Sequence, residues 1–229
     1  MSSSTFVLVH GAWHGSWAWT ALTEEFDRRG IQWLTLDLPS SHDTANGTAD
    51  LDSDVDTVVS VAQFAGPVTL VGHSYGGAVV TEAAGRLENV CALVYVAALI
   101  PTIGQSTTEV SRLASARTDL DDAMVVDGPW LRLDPQRAAS ALYGECSSDT
   151  AAAAIRLLGR QTIASFRSKR TSPDRLVTRR YIRCTRDQAI SPSLQTLMAA
   201  SCDSVVDIAS DHSPFLSHPG ECADAILDF

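Results

Sequence analysis

A chain of 229 residues, 45% hydrophobic and 19% charged, has the length of one domain, two at most, and a composition that excludes intrinsic disorder. Its formal charge of −10 argues against a nucleic-acid backbone or an anionic membrane as partner, since both recruit clustered Lys and Arg. No apolar run reaches the ~18 residues of a membrane span, and Met1 to Thr5 lack the basic start of a signal peptide, so the expectation is a cytoplasmic protein. Cys91, Cys146, Cys184, Cys202 and Cys222 are widely spaced, form no C-x-x-C pair and read as reduced thiols. Lys169 is the sole lysine, which reads as the codon bias of a GC-rich genome.

In chain order, Phe6-Val7-Leu8-Val9 is a continuous apolar run that reads as a first strand. A helix is expected over about Trp17 to Arg29, with Trp17 and Trp19 in its core. Trp33 to Leu36 reads as a second strand stopped by Pro39, followed by a helix over about Asp52 to Ala65. Val68 to Val71 is a third strand, Tyr75 to Leu87 a helix, and Val90 to Ala97 a fourth strand stopped by Pro101. Near the end, strands at Tyr181 to Cys184 and Val205 to Ile208 alternate with helices at Ser193 to Ala200 and Glu221 to Leu227. Continuous apolar strands separated by helices predict a parallel sheet covered on both faces. Residues 101–178 break this rhythm. They show helical patterns at Ala138 to Tyr143 and Ala151 to Leu158, with Asp134-Pro135 as a helix start, and no convincing strand. The expected organisation is one domain over 1–229, with a core of about 1–100 and 179–229 and a helical lid over about 101–178. Residues 160–186 hold Arg160, Arg167, Lys169, Arg170, Arg175, Arg179, Arg180, Arg183 and Arg186 against Asp174, a run that reads as a solvated, paired face rather than an attractor for anions.

Gly72-His73-Ser74-Tyr75-Gly76 matches G-x-S-x-G. It directly follows one strand and directly precedes an Ala-rich helix, the context in which this motif forms a nucleophile elbow. An elbow serine needs a base and an orienting acid, which follow it in the order Ser, Asp or Glu, His. The two downstream histidines are His212, just after a strand, and His218, before Pro219 and the last helix. His212 is the expected base and His218 a surface or capping residue. Asp187, just past the end of the preceding strand, is favoured as the acid over Asp211, Asp203 and Asp207. An oxyanion hole needs two backbone N–H donors. Tyr75 supplies one and the loop His10-Gly11-Ala12-Trp13-His14-Gly15 the other, with Ala12 favoured over Trp13. His10 and His14 stand four apart, but Gly11 and Gly15 argue against a helical metal pair. His73 reads as structural.

Phe6 to Trp17, Gly72 to Gly77, Cys184-Thr185-Arg186-Asp187 and Asp211-His212-Ser213-Pro214-Phe215-Leu216 together resemble the α/β-hydrolases, and within them the plant methylesterase and hydroxynitrile lyase branch and its bacterial relatives. Leu133 to Ala138 resembles the start of the lid helix in the bacterial members. The resemblance implies an α/β-hydrolase fold with a mostly parallel sheet of about six strands, a Ser74–His212–Asp187 triad and a small-molecule ester as substrate. It implies no metal and no organic cofactor. The branch is often dimeric, which makes a homodimer the expected assembly. Lyases of the branch carry Thr after the first-strand histidine and Lys after the catalytic one; Gly11 and Ser213 stand there, which favours an esterase. Trp13, Trp130, Leu142, Tyr143 and Phe215 are candidate pocket walls. The alternatives are a lactonase, a thioesterase, an amidase, a lyase-like C–C cleavage, or a receptor that uses the same pocket to bind a small molecule.

Overall fold

Six strands align in one direction in a computed structural model that describes residues 4–41 and 47–228. Met1 to Ser3, part of the stretch read for a targeting signal, lie outside the described residues. The core elements are β1 (Thr5–Val9), α1 (Thr20–Arg28), β2 (Trp33–Thr35), α2 (Leu51–Ala62), β3 (Val68–His73), α3 (Gly76–Ala84) and β4 (Val90–Val96). An insertion holds α4 (Thr107–Ser111), α5 (Asp119–Ala123), β5 (Met124–Asp127), β6 (Trp130–Leu133), α6 (Pro135–Leu142), α7 (Ser148–Leu157), β7 (Gln161–Thr162) and α8 (Ile163–Arg167). The core then resumes with β8 (Thr178–Cys184), α9 (Pro192–Ala199), β9 (Ser204–Ile208), α10 (Pro214–Ser217) and α11 (Pro219–Leu227). The main sheet runs β2-β1-β3-β4-β8-β9, every pairing parallel.

The continuous apolar strands divide by parity between two cores, because successive side chains of a strand point to opposite faces. Val7, Val9, Leu70, Leu93, Tyr95 and Tyr181 face a core completed by Val55 and Val58 of α2, Ala83 of α3 and Leu194 of α9. Leu8, Val71, Val94, Val96 and Ile182 face the opposite core, with Trp19, Leu22 and Phe26 on one side and Cys222, Ala223 and Ile226 on the other. A strand buried on both faces has no position left for an alternating polar residue. Trp19 is fully buried as expected, whereas Trp17 is only partly so.

The expectation of a strand-free, helical insertion is corrected. β5, β6 and β7 form a separate antiparallel sheet in the order β5-β6-β7. β5 and β6 pair Asp127 with Trp130 across a two-residue turn, with Gly128 at φ +59°, the left-handed conformation that the favoured hairpin turns require at their first position. Val125 and Val126 of β5 are exposed, so the strand carries no alternation of buried and exposed residues by which a sequence would reveal it. Part of the arginine-rich stretch is ion-paired, Arg170 and Arg179 with Asp174, Arg183 with Asp207, Arg186 with Glu145 and Lys169 with Glu109, while Arg170 is buried rather than solvated. Buried Glu82 of α3 accepts hydrogen bonds from Thr171 and Ser172 as the chain returns from the insertion. Burial pushes the Glu82 carboxyl up, but these bonds outweigh it and bring the carboxyl down to about 2.

Candidate active site

Strand β3 ends at His73, α3 begins at Gly76, and Ser74 sits between them at φ +53°. That left-handed conformation is uncommon for any residue but glycine, and here it is over-determined. Ser74 N–H donates to Val96 O at 3.1 Å, and Ser74 O accepts from Gly77 N at 3.1 Å and Leu99 N at 3.0 Å. A Cβ on Gly76 would lie 2.5 Å from Val9 O, and one on Gly72 2.6 Å from Gly76 O, so the tight approach of helix to strand requires both glycines. Ser74 is 6% exposed.

His212 lies in the loop after β9 and Asp187 in the loop after β8. His212 Nδ1 and Asp187 Oδ2 are 2.7 Å apart, with both residues buried. The carboxylate is fully engaged. Oδ1 accepts from Ala189 N at 2.7 Å and Ile190 N at 2.9 Å, while Oδ2 also accepts from Gln195 Nε2 at 2.9 Å. An acceptor at Nδ1 fixes the tautomer with its proton there and leaves the Nε2 lone pair free. The rival acids are occupied elsewhere. Asp207 pairs with Arg183, and Asp203 accepts from Arg179 N at 2.8 Å. Asp211 does more than the loop acid it was read as. Its Oδ1 accepts from Ser213 N and Ser217 Oγ, and its Oδ2 accepts from Glu145 N at 2.9 Å, so it ties the His212 loop to the insertion. His218 caps nothing with its side chain; its Nδ1 meets Ser217 Oγ at 3.0 Å.

His73, read as structural, joins the two halves of the site. Its Nε2–H donates to His212 O at 2.9 Å, and the two rings stand 4.6 Å apart. The elbow thereby holds the His212 loop directly. Burial holds His73 well below the ordinary imidazole range. Burial also brings His14 down to about 3, with its Nδ1–H on Ala12 O and its Nε2 accepting from Tyr143 Oη at 2.9 Å. Both rings are neutral at pH 7, so neither places a cation beside His212. His10 and His14 each hold the Gly11–His14 loop: His10 Nδ1–H donates to Gly11 O at 2.8 Å and its Nε2 accepts from Leu38 N at 3.0 Å.

That loop turns at Gly11 to His14, closed by His14 N–H to Gly11 O at 3.4 Å, with Trp13 at φ +63°. Positive φ at the third turn residue alone is the type II geometry. Trp13 N–H faces the insertion and donates to Gln161 Oε1 at 3.3 Å. Among the described residues, neither Ala12 N–H nor Tyr75 N–H donates to a protein acceptor. This separates Ala12 from its rival Trp13 as an available donor.

The candidate walls divide. Trp13 and Tyr75 share one core, and the Phe166 ring of α8 lies 5.8 Å from the first and 5.4 Å from the second. Phe166 carries no sequence signal beyond being aromatic, and only the path of the insertion brings it here. Phe215 instead packs behind the elbow, 4.7 Å from the Trp19 and His73 rings. It lies in the core on the far face of the sheet, because α10 turns it inward. Leu142 and Tyr143 belong to a small core that joins Ala151 and Ala154 of the insertion to Ala189 of the loop after β8, and Trp130 lies in the β6 strand under the Arg160 guanidinium. The fold thus uses these four for packing and for the Tyr143–His14 contact.

A six-stranded parallel sheet with a serine elbow, and with His and Asp on later strand loops, defines the α/β hydrolase class. The chain belongs to the α/β hydrolase family, which matches it over residues 6–225. Its relatives are plant methylesterases and related hydrolases. It is 27% identical to methylesterase 18 of Arabidopsis thaliana, over 99% of this chain and 97% of that one. It is 25% identical to the α/β hydrolase nvfD of Aspergillus novofumigatus, over 96% of this chain and 93% of that one. Among solved structures, polyneuridine aldehyde esterase superposes with a TM-score of 0.85 at 24% identity, covering 99% of each chain. No helix among the described residues is long and apolar enough to cross a membrane.

Proposed function

We propose that this carboxylic ester hydrolase cleaves a small ester through an acyl-enzyme on Ser74, with His212 as general base and acid and Asp187 as its orienting partner. The observation that carries the reading is the His212 Nδ1–Asp187 Oδ2 hydrogen bond of 2.7 Å, in a loop fastened to the Ser74 elbow through His73. Ser74 Oγ attacks the ester carbonyl carbon while its proton passes to His212 Nε2. The carbonyl oxygen becomes an oxyanion held by Ala12 N–H and Tyr75 N–H, each donor lowering the barrier by roughly 3 kcal/mol. His212 returns the proton to the alkoxide as the C–O bond breaks, and the alcohol leaves. Water, deprotonated by the same imidazole, then attacks the acyl-serine, and the acid leaves as His212 returns that proton to Ser74 Oγ. Residues of this chain carry every proton, and no step calls for a metal or an organic cofactor.

Trp13, Tyr75 and Phe166 offer an aromatic surface for the acyl group. The burial of Ser74 favours a small leaving alcohol, and methyl esters head the substrate classes to be tried. Lyase-like cleavage is disfavoured, because it lacks the cation needed to receive a departing anion: Ser213 follows His212 and is buried. A fluorophosphonate probe tests the reading. It is expected to label wild-type protein once, on the peptide containing Ser74, and to leave Ser74→Ala unlabelled. Equal labelling of both proteins, or none of either, contradicts it.

A further inference from the structure

Gln161 is fully buried in β7, and all four hydrogen-bonding positions of its amide are used. Its Oε1 accepts from Trp13 N at 3.3 Å and Ser41 Oγ at 2.6 Å, and its Nε2 donates to Ser40 Oγ and Ser165 Oγ, each at 2.7 Å. The chain of bonds continues from Ser40. Its Oγ and N–H donate to the two carboxylate oxygens of Asp54, and Asp54 Oδ2 also accepts from Tyr75 Oη at 2.7 Å. One buried network therefore starts at Trp13, beside one oxyanion donor, and ends on Tyr75, the residue that carries the other.

We propose that Gln161, a residue of the insertion, is a positioning residue for the oxyanion hole. Its carbonyl holds the Gly11–His14 turn in the shape that leaves Ala12 N–H aimed at the reacting carbonyl. The inference rests on the Ser74 acyl-enzyme reading given above.

Trp13 stands where a type II turn favours glycine, so its bulky side chain gives the turn no intrinsic stability. The insertion supplies that stability through three bonds to this one residue. Trp13 N–H goes to Gln161, the indole Nε1–H to Leu131 O at 2.9 Å, and Trp13 O accepts from Gly159 N at 2.7 Å. Only the first comes from a side chain. Without it a buried N–H is left unsatisfied, and the turn gains by shifting to find that group another partner. A shift of the whole turn moves the Ala12 N–H with it. The insertion is then more than a cover over the site, because it completes the hole.

The test compares Gln161→Ala and the near-isosteric Gln161→Glu with wild type on p-nitrophenyl butyrate. It also measures inhibition by a trifluoromethyl ketone, whose hemiketal oxyanion occupies the hole, and thermal unfolding. A misplaced donor is expected to lower kcat about 10–100-fold while KM stays within about threefold. The inhibition constant of the ketone should rise by the factor that kcat/KM falls, a proportion that a loss of fold or pocket shape does not produce. Wild-type kcat in folded Gln161→Ala overturns the inference, as does a raised KM with kcat unchanged, whereas Gln161→Glu keeps an acceptor for Trp13 N–H and should recover part of the loss. If Ser74→Ala is inactive and the Gln161 variants are unimpaired, this inference alone fails. Activity that survives in Ser74→Ala removes both it and the reading beneath it.

Discussion

Replacing Asp187 with Asn changes one atom and should remove most of the activity. The carboxylate accepts four hydrogen bonds, two at each oxygen. The Oδ1 side faces the N–H groups of Ala189 and Ile190, which only an oxygen can satisfy, so the new NH2 must take the Oδ2 side. There it meets Gln195 Nε2, whose orientation is fixed because Gln195 Oε1 accepts from Cys184 N at 2.9 Å. A donor facing a donor in a buried site costs about 1–3 kcal/mol of stability. The NH2 also faces His212 Nδ1, which must now accept, so the imidazole proton moves to Nε2 and the base disappears. In triads of this kind the wrong tautomer lowers kcat about 10⁴-fold, equivalent to about 5 kcal/mol of barrier. Turnover of a short-chain p-nitrophenyl ester and urea unfolding measure the two effects separately. A kcat within tenfold of wild type in a folded Asp187→Asn protein would refute the assignment of Asp187.

Gly11→Ala puts a Cβ 2.7 Å from His73 Nδ1 and 2.9 Å from Ser74 Cβ, so overpacking should cost about 1–3 kcal/mol and the displaced His73 should carry the His212 loop with it. Urea unfolding with kinetics checks both, and wild-type values in each contradict the geometry. Burial raises the Asp54 carboxyl from 3.8 to about 6, so the folded state keeps its proton longer than the unfolded state does. Stability contributed at low pH is therefore lost as pH rises through that window, by about 3 kcal/mol, and the slope should flatten in Asp54→Asn. Parallel pH–stability curves for the two proteins would exclude this role for Asp54. Glu82→Ala strips Thr171 and Ser172 of their acceptor and leaves buried Arg170 with one carboxylate fewer, which should cost about 3 kcal/mol or more in chemical denaturation. A loss below about 1 kcal/mol contradicts it.

The parallel sheet was legible because its central strands are buried on both faces and punctuated by Gly and Pro, as at Val68–His73 before the elbow. The elbow serine was legible because strand, G-x-S-x-G and Ala-rich helix are contiguous in the chain. Asp187 and His212, which share a hydrogen bond, were reached by taking the loops after the last two strands and weighing the acids and histidines there. What depended on the return path of the insertion could not be read. Phe166 and Gln161 lie more than 80 residues from Ser74 in sequence, and no spacing rule links them to it. Phe215 misled for the opposite reason: it sits three residues from His212, yet its short helix points it into the core behind the site. The β5–β6 hairpin escaped because its valines face outward. His73 looked like part of the motif, and its bond across 139 residues to His212 O shows only in three dimensions.

Hydrolysis of a panel of short-chain p-nitrophenyl and methyl esters by wild type and Ser74→Ala, side by side, tests the central claim most directly. The account predicts turnover by the wild type that falls to the uncatalysed background in the variant, with the folded state intact. Equal hydrolysis by the two proteins would contradict it, because no other nucleophile in this site is assigned the attack.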